Sequence, residues 1–209
     1  MKLYDFPAAP NPRRARIFIA EKGITIEKVI VDLAKGEQFS ETFKRLNPRC
    51  TVPVLELDDG IAFADNIAIA RYLEEIHPTP PLLGADPVEK AMVAGWNARI
   101  EYEGLYAIAE YFRNANPMFK GHAIAGQTTH EQIPALAERG RKRSTEFLQM
   151  LDDHLDGREF ICTPAYTMAD ITALVTVDLV NFAGLAVDDA LKNLKRWHVA
   201  VSARPSAVA

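Results

Sequence analysis

Two short segments about a dozen residues apart, Thr51-Val52-Pro53 and Asp65-Asn66, carry the residue types best suited to hold a small charged ligand. Pro53 precedes an apolar run, Val54-Leu55-Glu56-Leu57, where a trans proline obstructs ladder pairing. A cis Val52-Pro53 bond turns the chain sharply and leaves the N–H and C=O of Val52 facing outward. Those groups can pair with a peptide backbone laid alongside as an extra strand. Asp65-Asn66 opens the amphipathic stretch Ile67-Ala68-Ile69-Ala70-Arg71-Tyr72-Leu73. A helix N-terminus at that point binds an α-carboxylate, and the Asp65 carboxylate takes the neighbouring α-ammonium. The two segments together read as a cradle for a small zwitterionic peptide.

The elements that must position them are legible as α/β followed by all-α. Leu3 to Phe6 reads as a strand, and Pro12 to Lys22 as a helix capped by Asn11 and ended by Gly23. Thr25 to Val31 is β-branched and strand-like, completing a β-α-β unit with a right-handed crossover. After the looser stretch Asp32 to Arg49, Val54–Leu57 and Ile61–Phe63 flank Asp58-Asp59-Gly60, a hairpin signal. A helix from Asn66 to Ile76 follows. This β-α-β then β-β-α order is the thioredoxin-like arrangement. Pro78, Pro80, Pro81 and Pro87 mark a linker, so the expected division is 1–77, linker 78–87 and 88–209.

Beyond the linker the pattern is helical, over 88–115, 131–155, 167–183 and 188–203. Thr167-x-x-Asp170 is a capping box, with Tyr166 and Ile171 as its hydrophobic staple. Trp96, Tyr102, Tyr106, Tyr111 and Phe112 lie at helical spacing and read mostly as core and interface.

Composition excludes several function classes. The 209-residue chain is 48% hydrophobic, ample for a core, with net charge −4 and both signs mixed along it. No basic stripe suggests nucleic acid, and no cationic amphipathic helix or apolar run near ~20 residues suggests a membrane. A strand-like pattern begins within two residues of the start, which argues against a secretory signal. Cys50 and Cys162 form neither a disulfide framework nor a CxxC pair, and the five histidines show no metal spacing. A cytoplasmic protein without a metal is the expectation.

Leu3-Tyr4-Asp5-Phe6-Pro7, Arg13 to Gly23, Leu46-Asn47-Pro48 before Val52-Pro53, Ala68 to Leu73, and Thr167-Met168-Ala169-Asp170-Ile171 occur in the order and spacing of one family. Over nearly its whole length the chain resembles the cytosolic glutathione S-transferases. The nearest variant is an atypical group of yeast and proteobacteria that shares Val52 to Gly60. The resemblance implies a homodimer that binds glutathione as co-substrate and joins it to a hydrophobic electrophile. It places the cysteinyl backbone on Val52 at Pro53 and the γ-glutamyl end on Asp65 and Asn66. By residue-wise analogy Gln38 and Arg49 approach the glycyl end, Arg49 either pairing with its carboxylate or standing as a solvated surface arginine. Relatives pack subunits so that Arg71 and the Arg99–Glu103 stretch fall at the interface.

One departure concerns catalysis. Many members carry a serine, tyrosine or cysteine in the loop after the first strand, but Pro7-Ala8-Ala9-Pro10-Asn11-Pro12 has no hydroxyl or thiol. Tyr4 lies inside the strand and is assigned to packing. Activation then falls to the helix N-terminus, which lowers a thiol pKa from its ordinary value near ~8.5. Asn11 either caps that helix or turns its amide to the glutathione sulfur, directly or through water. Cys50 invites a mixed disulfide, although a lone cysteine beside an apolar strand is more often inert. Two further readings stand beside conjugation: a glutathione-dependent disulfide reductase, and a non-enzymatic glutathione-binding module.

Overall fold

The computed structural model describes residues 1–209, and these divide into two compact units. The first comprises 1–80 together with 124–128 and 208–209; the second comprises 81–123 and 129–207.

In the first unit β1 (Lys2–Asp5), α1 (Pro10–Glu21) and β2 (Glu27–Ile30) form the expected β-α-β unit, β1 and β2 pairing in parallel. Two short 3-10 turns, Leu33–Lys35 and Glu37–Phe39, and the helix α2 (Glu41–Leu46) occupy the stretch read as loose. Asp32 caps the first turn, and Ser40 caps α2 by accepting from the Phe43 N–H. Both are residues suited to such caps, but helices this short leave no periodicity to read. The hairpin β3 (Val54–Glu56) and β4 (Ala62–Phe63) then leads into α3 (Asn66–Ile76). The sheet order is β2-β1-β3-β4, with β3 antiparallel to both neighbours.

Alternation along β1 sends its two sets of side chains to opposite faces. Tyr4 packs into a cluster with Val31, Phe43, Val52 and Val54, while Leu3 and Asp5 are buried on the other face, where Arg16 of α1 meets Asp5. Ile17 and Phe18 of α1 and Ile69 and Leu73 of α3 are buried, and the two helices touch. Beneath their ends, fully buried Lys22 pairs with Glu74 at 2.5 Å.

The second unit is helical: α4 (Pro87–Arg99), a π-helical segment (Ile100–Leu105), α5 (Tyr106–Ala115), α6 (Pro134–His154), α7 (Met168–Phe182) and α8 (Lys192–Ser202). α7 is apolar nearly all round and buried from Met168 to Val177. A helix of that kind belongs at the centre of a core. The capping box at its head is formed. Asp170 accepts from the Thr167 N–H at 3.1 Å, the Ile161 N–H at 3.0 Å and Trp197 Nε1 at 3.1 Å. The five aromatic residues of the α4–α5 stretch are not core: none is buried, and Tyr102 and Tyr106 are 68% and 63% exposed.

Candidate functional site

Strand register decides which sequence-distant residues meet. Asp5 at the end of β1 pairs with Ile30 at the end of β2, Tyr4 pairs with Val54 at the start of β3, and Leu55 pairs with Phe63 at the end of β4. The β1–α1 loop, the segment holding Gln38, the Val52-Pro53 turn and Asp65-Asn66 therefore all emerge at one end of the sheet. A crevice at strand ends is where α/β sheets hold ligands.

The β1–α1 loop closes with the Ala9 N–H donating to the Phe6 carbonyl at 2.9 Å. α1 starts two residues earlier than the sequence suggested, at Pro10, with Ala9 as N-cap and Asn11 at the second helical position. Pro10 fits the first position of a helix as well as Pro12 does, so the paired prolines did not fix the start. Asn11 is not the cap; its Oδ1 accepts from Arg14 Nη1 at 3.2 Å. No side chain caps this helix. Pro10 and Pro12 have no N–H, the Ala9 N–H is used by Phe6, and the Arg13 N–H closes on Ala9. Asn11 thus contributes the one backbone donor left in the first turn, and its carboxamide NH2 lies on the same residue.

Tyr4 is committed elsewhere. Its hydroxyl donates to Glu56 Oε2 at 2.8 Å across the β1–β3 pair, and its ring meets Phe43 edge-on. Burial, then the Glu56 carboxylate, push its pKa up to about 12.

Asp65 is the N-cap of α3, its Oδ1 accepting from the Ile67 N–H at 2.8 Å and the Ala68 N–H at 3.4 Å. Its side chain is exposed, so the second carboxylate oxygen remains open to a cation. Asn66 beside it is only 7% exposed, yet its Oδ1 has no hydrogen-bond partner. Gln38 carries a second buried unpartnered oxygen, Oε1. Buried acceptors without donors are uncommon in folded proteins, and each calls for a physical explanation.

Val52-Pro53 is cis, as is Thr79-Pro80, which the sequence reading did not single out. The β1–β3 ladder ends at Val54, leaving the Val52 backbone outside it. The turn before it is templated by Asn47, 2% exposed, whose Nδ2 donates to the Thr51 carbonyl at 2.7 Å while its Oδ1 accepts from the Arg49 N–H at 3.0 Å. Arg49 itself is exposed. Cys50 is buried and unpaired, at a φ of 54° that favours glycine. The Asn47 contacts are invisible from composition; only the Asn-Pro pair hints at a turn. Gln127, on the small piece 124–128 that belongs to this unit, donates from Nε2 to the Pro48 carbonyl. Nothing in its local sequence announces that contact.

Burial pushes the Cys162 thiol up to about 11, and the backbone of His122 joins that of His130 in an isolated parallel bridge that leaves the His122 side chain exposed. No group of three His, Cys, Asp or Glu side chains is placed to hold a metal ion.

Family models for the N-terminal and C-terminal domains of glutathione S-transferases match residues 8–76 and 113–205. The chain is 33% identical to "Glutathione S-transferase 2" of Saccharomyces cerevisiae over 208 residues, covering 99% of this chain and 87% of the relative. It belongs to the glutathione S-transferase family. Among solved structures, a glutathione S-transferase domain-containing protein of Marinobacter aquaeolei VT8 superposes with a TM-score of 0.90 at 36% identity, over 99% of each chain. Gtt2 of Saccharomyces cerevisiae gives 0.90 at 32%, over 99% of this chain and 98% of that one. The thioredoxin-like domain and the helical domain are therefore those of a glutathione S-transferase, and the yeast and bacterial likenesses agree with the atypical variant that Val52 to Gly60 suggested.

Proposed function

We propose that this chain is a cytoplasmic glutathione transferase that joins the glutathione thiol to hydrophobic electrophiles in detoxification, residues 1–77 holding glutathione and 88–209 forming the helical domain beyond the linker 78–87. The observation that carries the reading is the exposed Asp65 cap at the head of α3, at the same end of the sheet as the Val52 backbone left outside the ladder. An α-ammonium group donates to the open Asp65 oxygen, and the head of α3 with the Asn66 amide favours the accompanying carboxylate. Val52 presents its backbone to the cysteinyl residue next to Pro53. Gln38 lies near the glycyl end, where Arg49 pairs with the carboxylate.

The sulfur then lies at the head of α1. Thiolate is favoured by the helix dipole and by two donors on one residue, the Asn11 N–H and its carboxamide NH2. No protein hydroxyl or thiol takes part. Holding thiolate and electrophile together supplies the rest of the acceleration. A homodimer with Arg71 and Arg99–Glu103 at its interface completes the proposal; Arg99 and Glu103 already pair at 2.9 Å, exposed.

Conjugation of an aryl halide and reduction of a glutathione mixed disulfide, assayed in parallel, separate the readings. Conjugation dominates if the proposal holds. Reduction alone would make the chain a disulfide reductase, and glutathione binding without either activity a binding module.

A further inference from the structure

Arg16, on α1, has a side chain 8% exposed, and the carboxylate it faces, Asp5, is 2% exposed. All three directions of its guanidinium are used. Nη1 donates to Asp5 Oδ1 at 2.6 Å, Nη2 to the Pro7 carbonyl at 3.0 Å and Nε to the Ala209 carbonyl at 2.8 Å. A sealed ion pair is a weak source of stability, because desolvation offsets its attraction; what it fixes is direction. Here the fork spans the last residue of β1 and the loop that follows. Pro7 adjoins Phe6, whose carbonyl closes that loop on Ala9, the N-cap of α1.

We infer that Arg16 is a positioning residue for thiol activation: anchored by Asp5, it holds the β1–α1 loop so that the donors of Asn11 stay aimed at the glutathione sulfur. This rests on the conjugating function proposed above. The guanidinium touches neither glutathione nor electrophile. Its charge is balanced by Asp5, so the effect is geometric. A lysine keeps the charge and can reach Asp5 but lacks the planar fork that also holds the Pro7 carbonyl. Because Arg16 acts on the loop and not on Val52, Asp65 or Asn66, its loss touches turnover and spares affinity.

The test compares Arg16→Lys and Asp5→Asn with Lys22→Met, which breaks a buried ion pair at the opposite end of α1. Steady-state conjugation, the absorbance titration of the bound thiolate and amide hydrogen exchange at residues 8–13 are measured on the full chain. Arg16→Lys should lower kcat about tenfold with the KM for glutathione within about twofold, the scale expected when a reacting group is slightly misplaced. Its thiol titration and the acid limb of its kcat–pH profile should both move to higher pH, with faster exchange at Ala9. Asp5→Asn should follow, and it carries the test if the lysine variant does not fold. Lys22→Met should lose stability and leave the thiol titration where it was. Unchanged kcat and thiolate titration in folded Arg16→Lys would overturn the inference, as would a rise in KM alone, or the same shifts in Lys22→Met. Absence of conjugation by the unmodified chain would instead overturn the function beneath it, and this role with it.

Discussion

Asp65 caps α3 and, in the proposed function, also holds the ammonium group of glutathione, and one substitution can separate the two roles. Asparagine caps helices as well as aspartate does, so Asp65→Asn keeps the α3 head and removes only the charge. Glutathione affinity should then fall by about 1.5–3 kcal/mol by calorimetry, the worth of a hydrogen bond to a charged group, with melting unchanged. Asp65→Ala should show the same loss of affinity and also destabilise the fold by about 0.5–2 kcal/mol, the cost of a lost cap. An undiminished affinity in Asp65→Asn would mean that the ammonium group is held elsewhere. At α1, Asn11→Ala keeps the backbone N–H and removes the carboxamide, so turnover should drop more than affinity. Tyr4, with its pKa pushed up to about 12, stays protonated across the working range. Tyr4→Phe should therefore leave the pH profile of conjugation in place; an upward shift of the bound thiol's titration in that variant would make the phenol the activating group after all.

Among the elements, α7 carries an unusual acid. Three N–H donors favour ionised Asp170, but burial outweighs them and pushes its pKa up to about 6 from the ordinary 3.8. Between those values the folded chain binds a proton that the unfolded chain releases. This group alone therefore adds stability as pH falls through 6 toward 3.8 and withdraws it as pH rises, by about 3 kcal/mol in full. Asp170→Asn cannot titrate and turns an NH2 toward one of the donors, costing about 1–3 kcal/mol at neutral pH. The gap between the unmodified chain and this variant should widen from pH 7 to pH 4.5 in urea melts. A gap that narrows would mean a low native pKa. Helix contacts give a second pair of outcomes with opposite signs. A Cβ on Gly140 of α6 meets the Tyr111 backbone nitrogen at 2.5 Å and the Ala107 carbonyl at 2.7 Å, whereas Gly95 of α4 has open space. Gly140→Ala should cost about 1–3 kcal/mol because backbone cannot move aside cheaply. Gly95→Ala should gain up to about 1 kcal/mol from helix propensity.

For the whole molecule, the proposed homodimer has a visible candidate surface. Val88, Met92, Tyr102 and Tyr106 are exposed along the α4–α5 stretch, 68%, 41%, 68% and 63% respectively, beside the Arg99–Glu103 pair. Apolar groups held in water at helical spacing favour burial against a second copy. Sedimentation at micromolar concentration should give a dimer, and Tyr102→Glu with Tyr106→Glu should give a folded monomer. A monomeric unmodified chain would remove the claim.

How much was legible depends on how local the signal was. α3 runs from Asn66 to Ile76 as read, because Asp65 caps it and its apolar face repeats cleanly. The hairpin at Asp59-Gly60, the central helix α7 and its capping box were equally local. The start of α1 slipped by two residues because two prolines satisfied the same steric rule, and α2 was too short to show a period. The sequence by itself determined the residue types: a proline turn without a competing strand bond, a charged cap, and a loop with no nucleophile. Only the tertiary structure decided their meeting. Register brought four loops to one end of the sheet, burial left the Asn66 oxygen without a donor, and Arg16 found Asp5 at a separation of 11 residues and Ala209 at 193. Such contacts depend on where the chain returns in space, and local composition holds no record of that.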